Sequence, residues 1–161
     1  MKGMKPLVET AGGSVRLVDA NNFPASTTVA AGLFHMKPGA LRELHWHPMS
    51  EWQYYIGGNA RMTVFASSGQ AHTMDFKAND VGYVPAVAGH YIQNTGNDDL
   101  DFLVLFKSGQ FVECSLNQWL RHLPVQMTEQ HVSLTPTAIA RIPDMAMNII
   151  PAKSTAGRDP F

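Results

Sequence analysis

GALRELHWHPMSEWQYYIGG, running from Gly39 to Gly58, is the stretch on which the reading of this chain turns. Side chains on a strand alternate between faces, so His45 and His47 point the same way and can reach one ion while Trp46 points away. Glu51 follows across a short loop at the start of the next apolar strand, where an antiparallel return brings its carboxylate beside the pair. His90, after the strand Val81 to Val84 and the turn Pro85 to Gly89, completes a metal site if the fold carries it across a barrel. An H-x-H pair alone suits a solvent-facing edge strand equally well; Glu51 and His90 turn the reading toward a divalent cation. The plainer readings are a solvated strand end for Glu51 and a weak surface ion pair for Arg42. His35, His72, His122 and His131 read as ordinary histidines outside the site, and Trp52, Tyr54 and Tyr55 as core and barrel wall.

Outward from this stretch, short β-rich runs alternate with turn signals. Strands are expected at 15–18, 28–36, 51–56, 61–65, 72–76, 81–84, 90–94 and 102–106. Lys37-Pro38-Gly39, Gly57-Gly58-Asn59, Ser67 to Gln70, Asn79-Asp80 and Asn94 to Asp99 punctuate them. This pattern excludes alternating βαβ units and points to an all-β barrel or sandwich over about residues 12–110. Helix comes late. Ser115 with Gln118 forms a capping box opening Leu116 to Leu123 before Pro124, and a second short helix is expected from Thr135 to before Pro143. The helical extension is placed at about 115–151 and a loose tail at 152–161.

The sequence of 161 residues, 45% hydrophobic, suits one domain with one substantial core. A net charge of -1 and a pI of about 6.6 offer no basic surface for nucleic acid or an anionic bilayer. Cys114 is the sole cysteine, which excludes an intramolecular disulfide and a cysteine-based zinc site. The start, MKGMKPLVETAGG, lacks the apolar run of a secretory signal, and no segment is apolar enough to span a membrane, so a cytoplasmic location is expected.

These residues resemble the cupins, most closely the second cupin of bacterial bicupin oxalate decarboxylases and more distantly the germin-type oxalate oxidases. The first cupin motif, G-x5-HxH-x3,4-E-x6-G, is met by Gly39, His45, His47, Glu51 and Gly58. The second, G-x5-P-x-G-x2-H-x3-N, is met at Pro85, His90 and Asn94, with Asn79 and Val87 standing where its glycines belong. LRELHWH, EWQYYI, ARMTVFAS, DVGYVP and SLNQWL are close to that family's wording, and the resemblance covers roughly Gly12 to Leu123.

The resemblance implies a double-stranded β-helix with short C-terminal helices and manganese held by His45, His47, Glu51 and His90. Iron or zinc would also suit that ligand set. It further implies oxalate as substrate, dioxygen as a co-reactant of some relatives, and an arginine that orients oxalate, here Arg42. Arg42 is out of phase with the ligand histidines and reaches the cavity only if its strand begins with a bend. Two departures bear on the reaction: Val104 replaces a glutamate of second-domain relatives, and three residues instead of four separate His47 from Glu51. With Val104 apolar, Glu113 is the remaining candidate for the proton donor that decarboxylation needs, although a solvated loop carboxylate near a helix start is an equal reading. Decarboxylation to formate and carbon dioxide is favoured over oxidation to carbon dioxide and peroxide. A metal- and acid-binding cupin without catalysis stands as an alternative. The apolar run Met145 to Ile150 suggests a surface buried in a homodimer or hexamer.

Overall fold

The computed structural model describes residue 1 and residues 3–153. Ten strands come first: β1 (Val8–Thr10), β2 (Gly13–Val18), β3 (Ala30–Met36), β4 (Leu41–Trp46), β5 (Glu51–Gly57), β6 (Asn59–Ser67), β7 (Gln70–Lys77), β8 (Val81–Val84), β9 (Gly89–Asn94) and β10 (Leu100–Phe106). They are followed by β11 (Cys114–Ser115), α1 (Leu116–His122), α2 (Val125–Val132), α3 (Pro136–Ala140) and β12 (Ile149–Ile150). One sheet runs β1-β2-β3-β10-β5-β8 and the other β11-β4-β9-β6-β7, with β12 also paired to β4. The expected all-β barrel is therefore the observed architecture.

Alternation explains why these segments are strands. In β10, LDFLVLF, the side chains of Leu100, Phe102, Val104 and Phe106 are buried while those between them are half-buried. Phe102 stacks on Phe34 at 5.0 Å between ring centroids, and Tyr55 stacks on Phe76 at 4.6 Å. Each such ring contributes about 1.5–3 kcal/mol by leaving water.

The turns explain the two motif departures. Gly39 and Gly58 adopt positive φ values of 72° and 84°. Asn79 and Val87 do the same, at 72° and 58°. The two positions that lack the motif glycine thus keep the left-handed backbone that glycine serves. Asparagine tolerates this conformation; valine, β-branched, is strained in it.

Some expectations need correction. The strand expected from Thr28 starts at Ala30, and β1 was not expected. Trp52 is not core: it is 41% exposed, because Glu51, Gln53 and Tyr55 take the inward face of β5. Met145 to Ile150 is not an uncovered apolar surface, since Ile149 pairs with Arg42 and Ile150 with Leu41 of β4, and Met147 and Ile149 are buried. The helices begin where their caps predict, Ser115 Oγ accepting from the Gln118 N–H and Thr135 Oγ1 from the Ala138 N–H. α2 was missed because Pro124 reads as a stop, whereas here it is the N-cap of a new helix. Thr128 Oγ1 donates to the Leu120 carbonyl at 3.1 Å and so ties α2 to the end of α1. Of the expected tail, residues 154–161 lie outside the described residues.

Val87 is 71% exposed, so its replacement gives up little burial while relieving strain. Val87→Gly is expected to raise stability in urea unfolding by about 1 kcal/mol, the scale of left-handed strain at a single residue. An equal or lower midpoint with an unchanged m-value would contradict this account of the turn.

Candidate metal centre

His45, near the end of β4, sits directly opposite His90 of β9, and Glu51 opens β5 after the turn that carries His47. One donor atom from each of His45, His47, Glu51 and His90 lies within 4.8 Å of the other three. All four residues are no more than 3% exposed. His47 Nε2 is 3.0 Å and His90 Nε2 3.2 Å from the same Glu51 oxygen, Oε2. The four ligands expected from sequence are thus brought together, and His35, His72, His122 and His131 are not among them.

The backbone fixes the tautomers. His45 Nδ1 donates to the Glu43 carbonyl at 2.7 Å, His47 Nδ1 to the Val112 carbonyl at 2.8 Å, and His90 Nδ1 to the Ala88 carbonyl at 3.1 Å. A carbonyl can only accept, so each ring carries its proton on Nδ1 and leaves the Nε2 lone pair for a metal. Along the inward face of β5, Tyr55 OH donates to Gln53 Oε1 at 2.7 Å, and Gln53 Nε2 donates to Glu51 Oε1 at 2.8 Å. Glu51 is thereby held by one oxygen while the other faces the imidazoles. Gly82 makes room for this relay, since a Cβ there would lie 2.5 Å from Gln53 Oε1.

Electrostatics match the donor role. Burial, reinforced by the Arg42 charge, holds the His45 imidazole well below its ordinary pKa and therefore neutral. Burial alone would push the Glu51 carboxyl up, but in the metal-free site, where Nε2 of His47 and His90 can carry a proton, their contacts with it outweigh burial and hold that group well below the usual carboxylate range.

Arg42 is drawn in by the bend its role requires. Arg42 pairs with Ile92 and His45 with His90, so three steps along β4 match two along β9. This bulge inverts the alternation, and Arg42 and Glu43 are both 1% exposed. The guanidinium lies 5.7 Å from the centre of the Phe34 ring. Its Nη2 donates to Glu113 Oε2, and Nη1 lies 3.4 Å from Glu43 Oε1. The solvated reading of Glu113 is overturned: its side chain is 4% exposed and also accepts from the Met147 N–H.

Sequence reasoning missed Glu43, Gln53 and Tyr55. A signal was there, because Glu43 lies two residues before His45, and Gln53 and Tyr55 lie two and four after Glu51, all in phase with a ligand on a strand. Glu43 accepts from Ser115 Oγ at 2.9 Å, Asn117 Nδ2 at 3.0 Å and the Asn148 N–H at 3.0 Å. Burial raises its carboxyl, opposed by the Asn148 N–H and the Arg42 charge. Val104, in the core, faces Gln53 in register.

Replacing any one of His45, His47, Glu51 or His90 with alanine is expected to remove most of the bound divalent metal, as counted by elemental analysis. In the protein stripped by a chelator, His45 keeps a folded-state pKa below the ordinary 6.5, so the unfolded chain binds the proton first. Stability then falls as pH drops through 6.5, and His45→Gln should flatten that slope between about pH 7 and 5.5. An unchanged slope would exclude the neutral, buried His45. Glu51, held below its ordinary 4.5, adds a second loss only below that value.

Comparison with known proteins accords with this geometry. The Cupin family model matches residues 2–139. The chain is 52% identical over 128 residues to the oxalate decarboxylase OxdC of Bacillus subtilis, covering 79% of this chain and 33% of that protein. It is 50% identical over 115 residues to an oxalate decarboxylase of Arthroderma benhamiae, covering 70% of this chain and 27% of that protein. The chain therefore spans about a third of the length of these curated relatives. The solved structure of the Bacillus subtilis oxalate decarboxylase at pH 4.6 superposes with a TM-score of 0.89 at 45% identity, covering 93% of this chain and 39% of that one. Another structure of the same enzyme concerns its Mn(II) centres. A barrel that gathers three histidines and a glutamate from two sequence motifs, matched over most of its length by the family model, belongs to the cupin family.

Proposed function

We propose that this chain is a manganese-binding cupin domain that degrades oxalate, by decarboxylation to formate and carbon dioxide. The observation that carries the reading is the buried Arg42, drawn in by the β4 bulge beside a closed His45–His47–Glu51–His90 group. The oxalate decarboxylase relatives give that anion site its substrate.

Three imidazoles and one carboxylate without a thiolate fit manganese, with iron or zinc compatible. When bound, such an ion polarises a coordinated carboxylate and supplies Lewis-acid and redox chemistry. The residues of the chain do the rest. A divalent ion with the single carboxylate of Glu51 leaves positive charge, which with Arg42 favours a dianion. Arg42 orients one carboxylate of the substrate through its planar fork of donors. Phe106 and Phe111 stand 4.7 Å and 5.4 Å from the His47 ring and keep water from that side. Decarboxylation replaces a carbon–carbon bond by a carbon–hydrogen bond, so one proton must be delivered. Glu113, an ionised acceptor from Arg42 and the Met147 N–H in this structure, is the carboxyl we assign to that step once it has left Arg42 and taken a proton from solvent.

Val104 favours a second reading, oxalate oxidation by dioxygen to two carbon dioxides and peroxide. That reaction needs no proton on carbon, and Val104 is an apolar core residue where the resemblance implies a glutamate. We further propose one cupin unit, cytoplasmic, that assembles as a homodimer or hexamer. The outward side chains Leu44, Phe65, Val87 and Trp119 line a groove of about 640 Å³ suited to burial between copies.

Protein purified with manganese and given oxalate under oxygen should release formate without peroxide, measured together with bound metal. Arg42→Ala should lower kcat/KM by at least about 100-fold while leaving the metal content unchanged, the scale of losing a charged hydrogen-bonding clamp. Peroxide instead of formate would select oxidation. Bound metal with neither product would exclude both reactions.

A further inference from the structure

Among the described residues, Arg42 Nε is the single buried side-chain nitrogen or oxygen without a hydrogen-bond partner. The other two guanidinium nitrogens are engaged, Nη1 with Glu43 and Nη2 with Glu113. On a guanidinium, Nε and Nη2 lie side by side and form an edge that donates to both oxygens of one carboxylate. That edge is half used, by a carboxylate whose second oxygen is turned to the Met147 N–H.

The two acids that flank Arg42 are held very differently. Glu43 accepts from Ser115, Asn117 and the Asn148 N–H, and its contact with Arg42 is its longest, at 3.4 Å. Glu113 has one hydrogen bond besides Arg42, from Met147. Glu43 is therefore the fixed acid and Glu113 the exchangeable one. Glu113 offsets the Arg42 charge directly, so the guanidinium offers an incoming anion its full attraction only once that acid withdraws.

We propose that Glu113 is a resident carboxylate that an incoming ligand carboxylate displaces from Arg42, the ligand then taking Nε and Nη2 together. Glu113 thereby sets the affinity of the site by competing for its cation. The exchange pairs the orphan Nε, replaces a one-point contact by a two-point one and leaves Glu43 in place to hold Nη1. The inference rests on the reading of this site as one for small carboxylates, and makes Glu113 a specificity-determining residue for it.

The test is calorimetric titration of the manganese-loaded protein with acetate and, separately, with oxalate. Glu113→Gln, which keeps an acceptor for the Met147 N–H, and Glu113→Ala should each bind acetate about tenfold tighter than the wild type, the scale of one charge-assisted hydrogen bond. Metal content and the far-ultraviolet dichroism of both variants serve as folding controls. The gain should vanish when Arg42→Gln is added to either variant. Acetate affinity that is unchanged or weaker in both Glu113 variants, or a gain that survives without Arg42, would overturn the proposal. Oxalate decides a different point: a wild type that takes acetate but not oxalate loses the oxalate reading, while the acetate comparison still decides the exchange.

Discussion

The slip of β4 against β9 between Arg42 and His45 is the constraint on which the site depends. A regular strand would place Arg42 and His45 on opposite faces, and one of them would be lost to the barrel interior. The extra residue lets the arginine, Glu43 and the first ligand histidine all be buried. Both sides of the irregular segment are closed by pairing: β9 on one side, and on the other β11 at the histidine end and β12 at the arginine end. The short C-terminal strand, distant in sequence, thus braces the strand that carries the metal ligands.

Burying so many polar groups is tolerable only because nearly all are paired. Each imidazole has a carbonyl for Nδ1, Glu51 has Gln53 behind it, and Gln53 has Tyr55. Glu43 joins three separate pieces of chain at one carboxylate: the β4 bulge, the cap of α1 and the segment before β12. Among the described residues the exception to this satisfaction, Arg42 Nε, falls on the residue best suited to receive an anion. An unpaired donor in an otherwise complete network has a natural explanation as a place kept for a ligand.

The comparison with oxalate decarboxylases sharpens what is particular to this chain. The motif positions without glycine, Asn79 and Val87, keep the motif's backbone geometry at the expense of strain at the valine. Val104 is packed in the core opposite Gln53 in register, so an acid at that position would have faced the same interior as the ligand relay. Its absence leaves Glu43 and Glu113 as the carboxyls around Arg42. The chain also spans about a third of its relatives' length.

The all-β class, the metal-ligand group and the caps of α1 and α3 were legible in the residues alone. Each is written in a local rule: alternation along a strand, a turn residue at a fixed offset, a side chain three residues from an unpaired N–H. His45, His47 and Glu51 lie close enough together for such rules to work, and His90 was placed by the motif that carries it. That Arg42 turns inward, that Glu113 is buried against it and that Asn148 to Ile150 pair with β4 could be seen only in the folded chain. Those outcomes come from pairing between segments about seventy to a hundred residues apart, where backbone hydrogen bonds to a bulged strand override the alternation that a single strand would follow.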